Sequence, residues 1–129
     1  MAEKIKLVQG DTRPQLKYVV SDEISNTVVN LAGASVLLKF RAAGSVTILF
    51  SLTGYLQPGI EDINGEVSGD GVGEPYAIPG SGGRVFFQFG MGNLNVTPGV
   101  YEGELEVTFQ DSSIQTVYSV TKFQVRAQF

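Results

Sequence analysis

Cysteine, histidine and tryptophan are all missing from this sequence. Without cysteine there is no disulfide, no thiol nucleophile and no thiolate metal site. Without histidine the commonest general base and the commonest transition-metal ligand are gone too. Long apolar runs are missing as well: the longest, Val46 to Phe50, has Thr47 inside it, whereas a bilayer-crossing helix needs about 20 residues. Positive charge is scarce, with 9 Lys and Arg against 13 Asp and Glu for a net charge of −4. A general phosphate-binding surface is built from lysines and arginines, so neither nucleic acid nor membrane is expected as a partner. The opening MAEKIKLVQGD has no apolar h-region and no small-residue cleavage site, so no signal peptide is expected and synthesis in a cytoplasm is the default reading.

What is present points to a folded domain. At 43% hydrophobic and 17% charged, the 129 residues are too apolar for a disordered chain and suit a single domain spanning 1–129. Apolar residues recur with period two, and no window of eleven or more residues shows helical periodicity. Strands are predicted at KIKLV (4–8), QLKYVV (15–20), within VVNLAGASVLLKFR, at SVTILFS (45–51), RVFFQF (84–89) and VYEGELEVTF (100–109). IQTVYSV (114–120) and KFQVRAQF (122–129) read as one long bent strand. Gly, Pro, Asn and Asp fill the breaks.

Seven to nine short strands at this spacing predict an all-β fold, an antiparallel immunoglobulin-like β-sandwich, with a jelly roll or small barrel as the competitor. The cysteine pair and buried tryptophan of antibody domains are absent. One stretch, 52–83, breaks the spacing: it holds nine of the sixteen glycines and three of the five prolines, with Glu61, Asp62, Glu66, Asp70 and Glu74 and no lysine or arginine. A loop of this length is expected to carry structure of its own or a function. Asn64-Gly65 between Ile63 and Val67 predicts a type I′ hairpin turn within this acidic excursion.

Three features invite a chemical reading. Glu102, Glu104 and Glu106 share one face of a strand, about 6.5 to 7 Å apart, a spacing a glycosidase could use. Nothing gives them the unequal environments that acid and base roles need, and Lys122 and Arg126 are of the right type to face them, so the row reads as the wet face of a sheet. Asp62, Asn64 and Glu66 follow the oxygen spacing of half a calcium loop, but Val67 and Gly73 stand where an EF-hand needs glycine and glutamate. SGDGVGEP lacks the lysine of a P-loop. No catalytic residue, metal ligand or cofactor is therefore expected. Tyr55 and Tyr76, with Glu61, Asp62, Asp70 and Glu74, are the candidate interface residues, and the two tyrosines could form an aromatic sugar platform.

The order of turn motifs resembles a known family. Gly10, Asp11, Thr12 and Pro14, then Leu31, Gly33, Ala34 and Val36, then Pro98, Gly99 and Tyr101 resemble the immunoglobulin-like N-terminal domain of bacteriophage baseplate upper proteins and related tail, neck and head-associated proteins. The resemblance covers most of the chain outside 52–83 and implies a non-enzymatic structural component of a tailed-phage virion. It implies other phage structural proteins as partners, a homo-oligomer in the particle, and localisation in the virion after synthesis in the bacterial host. It carries no catalytic residues, and it implies a corner contact for Tyr101. The alternative function is a carbohydrate-binding or adhesive β-sandwich module using Tyr55, Tyr76 and the acidic loop.

Overall fold

Alternating segments become strands because period-two burial needs an extended backbone with one face on a core. The computed structural model describes residues 4–22, 24–117 and 120–129, and among them all regular structure is β. In chain order the strands are β1 (Ile5–Val8), β2 (Leu16–Val19), β3 (Ser21–Asp22), β4 (Thr27–Val28), β5 (Ser35–Ala42), β6 (Ile48–Thr53) and β7 (Tyr55–Leu56). They continue with β8 (Ile60–Glu61), β9 (Val67–Ser68), β10 (Arg84–Phe87), β11 (Gly99–Thr108), β12 (Ile114–Thr116) and β13 (Thr121–Arg126). Eight of these are longer than two residues, within the seven to nine expected; the other five are two-residue pieces.

The larger sheet runs β1-β13-β11-β5-β6, with β12 also on β11, and the smaller runs β2-β10-β7. Pairing is antiparallel except that β1 lies parallel to β13. The long bent strand expected at the end of the chain runs across Tyr118 and Ser119, which lie outside the described residues; on either side of them β12 and β13 both occupy the side of β11 opposite β5.

The two sheets bury their inner faces against each other. Val36, Leu38 and Phe40 of β5, Leu105 and Val107 of β11 and Phe123 of β13 meet Leu16 of β2 and Val85 and Phe87 of β10 in one cluster. Phe40 is its hub and has no exposed surface. Its ring stacks on Phe50 at 4.6 Å and on Tyr101 at 5.2 Å, and meets Phe89 edge-on at 6.2 Å. Offset and edge-on geometries suit the ring quadrupole and add about 0.5–1.5 kcal/mol per pair beyond burial. Tyr101 also donates its hydroxyl to the Thr97 carbonyl, a tyrosine corner that ties the start of β11 to the preceding turn.

The glutamate row is the wet face of the larger sheet. Glu106 pairs with Lys39 at 2.7 Å and Glu102 with Arg41 at 3.4 Å, while Lys122 stands opposite Glu102 on β13. Arg126 does not join them; its guanidinium lies over the Phe129 ring at 4.7 Å. Partly exposed pairs of this kind contribute about 0–1 kcal/mol each. They set the face and charge of the sheet more than its stability.

Two predictions test the core. Phe40→Ala removes the hub ring and should destabilise the fold by about 3–5 kcal/mol, read as a lowered urea midpoint at unchanged m-value. Tyr18 of β2 donates its hydroxyl to Thr121 Oγ1 of β13 at 3.0 Å, across the sandwich, and burial raises its pKa although the Thr121 bond partly opposes this. The folded state thus favours the protonated phenol. That contribution is intact below the ordinary tyrosine pKa of about 10 and is lost as pH rises through the higher folded value. Tyr18→Phe should cost about 0.5–1.5 kcal/mol at neutral pH and should lose less further stability than the parent in urea titrations carried above pH 10.

Candidate functional site

The site is built where one strand leaves the larger sheet for the smaller. Leu52 and Thr53, placed in the excursion by the sequence reading, are the end of β6, and β7 begins two residues later on β10. Gly54 makes the crossing. A Cβ there would stand 2.6 Å from Val85 Cγ2 and 3.0 Å from Phe87 Cε1, so only glycine lets the backbone pass over the β10 side chains.

Beyond β7 the excursion folds on itself and onto the body. β8 and β9 form the expected hairpin around Asn64-Gly65. Its turn is not type I′: Gly65 has φ of 81° while Asn64 keeps a negative φ, and Asp62 N–H donates to Glu66 O. That is the three-residue loop with glycine in the left-handed region. Backbone bonds from Gly59 to Tyr76 O, Gly80 to Gln57 O, Leu31 to Gly80 O and Val20 to Gly83 O then stitch residues 57–83 together and to the sandwich. Arg84, one residue past the excursion, clamps it by donating to Pro58 O at 2.5 Å and to Glu61 Oε1 at 3.1 Å.

The sequence-derived interface residues fall into separate roles. Glu61 is the partner of Arg84. Asp62 closes its hairpin, its Oδ1 accepting the N–H groups of Asn64 and Glu66 at 2.8 and 2.9 Å. Asp70 and Glu74 are exposed, and Tyr76 is half-buried over Gly69. Among the described residues no three acidic groups gather as a metal site. Tyr55 is the one that reaches the smaller sheet, and it stacks on Phe86, not on Tyr76.

The outer face of that sheet is the candidate site. With Leu16, Val85 and Phe87 turned into the core, Lys17, Phe86 and Tyr55 share the opposite face in one row across β2, β10 and β7. The Tyr55 and Phe86 rings lie 5.1 Å apart at an interplanar angle of 23°, and Tyr55 is 58% exposed. One step along the strands, Gln15 and Gln88 line an open groove of about 610 Å³ with Arg13, Pro14 and Lys17. The result is a flat aromatic surface edged by amide and cationic side chains.

Tyr55 was legible from the sequence because an exposed aromatic in a polar stretch asks for a reason. Phe86 and its neighbours were missed. The signal was the adjacent pair in RVFFQF: in a strand, consecutive aromatics must point to opposite faces, so one of Phe86 and Phe87 had to be outside.

No family model and no curated protein matches this chain. Among solved structures it is similar to AggA, the major subunit of aggregative adherence fimbriae type I from Escherichia coli, at 13% identity and a TM-score of 0.39 over 95% of this chain and 91% of that one. The structure matched is a bacterial fimbrial subunit and not a phage protein, so the expectation of a tailed-phage virion component finds no support in any comparison and is withdrawn. The motifs behind that expectation do fold-level work: Gly10 and Gly33 take φ of 85° and 74° in turns, and Tyr101 makes its corner bond. Such positions specify a sandwich and no particular assembly. A likeness this distant carries no argument about function, which rests on the site.

Proposed function

We propose that this chain is a non-enzymatic carbohydrate-binding module that holds a saccharide on the outer face of the β2-β10-β7 sheet. The observation that carries the reading is the stacked, solvent-facing pair of Tyr55 and Phe86. A pyranose ring presents an apolar C–H face and a rim of hydroxyls. The face is bound by covering a flat aromatic surface, which releases water from both sides. The rim needs donors and acceptors at the edge of that surface, and Gln15 and Gln88 place amides that offer both.

Rigidity supports the role. Phe86 sits on the middle strand of its sheet, held on both sides by backbone ladders, so the platform is ordered before a ligand arrives. Stacking on a preformed surface avoids the ordering cost that weakens binding by mobile loops.

Electrophoresis of the purified protein through native gels containing neutral or acidic polysaccharides tests this directly. At least one polysaccharide should retard the protein, and Tyr55→Ala should abolish the retardation while leaving the thermal midpoint within a few degrees, because Tyr55 is largely exposed. No retardation across both classes, or retardation that survives Tyr55→Ala and Phe86→Ala, overturns the proposal.

A further inference from the structure

The charge around the platform is not that of the molecule. The chain as a whole carries a net charge of −4. Yet the groove beside Phe86 is lined by Arg13 and Lys17 together with Pro14, Gln15 and Gln88, and no carboxylate is among its lining residues. Lys39, Arg41 and Arg84 are answered by Glu106, Glu102 and Glu61, whereas Lys6, Lys122 and Arg126 of the larger sheet are unpaired among the described residues but stand away from the aromatic platform. Among the described residues Arg13 and Lys17 make no ion pair, and both are exposed.

Position adds to this. Lys17 is the cross-strand partner of Phe86, so its Cα is about 5 Å from that of the aromatic residue. Its ammonium can reach a substituent at the edge of a ring stacked on the platform. Arg13 extends the same groove further from Phe86 and offers a planar fork that fits a carboxylate with two parallel bonds. Screening limits the repulsion from distant acidic residues to about 10 Å at 0.1 M salt. The local pair therefore decides what the groove attracts.

We infer that the preferred ligand is an acidic saccharide, a uronic-acid polymer whose ring stacks on Tyr55 and Phe86 while its carboxylates meet Lys17 and Arg13. This rests on the carbohydrate-binding reading and adds the ligand class to it. Neutral rings fit the same aromatic surface, but they leave both cations without a partner.

The test compares alginate and polygalacturonate hexamers with their carboxyl-reduced, neutral forms by isothermal titration calorimetry, using poly-glutamate as a polyanion that has no sugar face. An acidic hexamer should bind about five- to tenfold tighter than its reduced form at low salt, with the ratio shrinking as salt rises. Lys17→Gln and Arg13→Gln should each bring that ratio toward one, and poly-glutamate should bind more weakly than the hexamer. Equal binding of acidic and reduced forms, sensitive to Tyr55→Ala, overturns the acidic preference and leaves the platform standing. Poly-glutamate binding as tightly as the hexamers also overturns it, because the groove is then a general anion surface. Binding of neither hexamer form defeats both readings together.

Discussion

Everything distinctive in this structure passes through the close approach at Gly54. A strand that finishes in one sheet and restarts in the other must bring its backbone against the side chains of the strand it joins. Here those are Val85 and Phe87, and no Cβ fits between. Because the backbone can pass, β6 and β7 are nearly continuous and yet serve different sheets. The crossing places Tyr55 on β10 beside Phe86 and anchors the start of the glycine-rich segment that follows.

The aromatic residues divide into two populations with different work. Phe40, Phe87, Phe89 and Phe123 have at most 1% of their surface exposed and hold the sheets together. Tyr55 and Phe86 stack on the other side of the smaller sheet, where ring contact holds a flat surface open to solvent. The pleat alone separates the populations, since Phe86 and Phe87 are neighbours in sequence and face opposite ways. A core hub such as Phe40 matters to the site only by keeping β10 in place beneath it.

Charge is arranged differently on the two sheets. On the larger sheet Glu102 and Glu106 each have a basic partner one strand away, and Lys6, Lys122 and Arg126 are unpaired among the described residues. On the smaller sheet Arg84 is spent on the excursion, holding Glu61 and Pro58. Arg13 and Lys17 keep their charge available to solvent and to a ligand.

Much of the architecture was readable without coordinates. Alternation placed the strands, the even spacing of turns predicted a sandwich, and Asn64-Gly65 marked a hairpin, because each depends on a residue and its near neighbours in the chain. The row of glutamates read correctly as a wet face for the same reason. The site did not yield to that approach: Tyr55 was noticed, but it was coupled with Tyr76, its neighbour in the excursion, when its partner is Phe86, thirty-one positions away. Nor could the turn motifs tell one kind of assembly from another, since they record what a sandwich needs of its backbone. By itself the sequence determined the fold class and which face of each strand is wet, since both follow from local periodicity. Only the tertiary structure decided that Tyr55, Phe86, Lys17 and Gln88 share a surface, because cross-strand register is a property of pairing between distant segments and is written in no single stretch of chain.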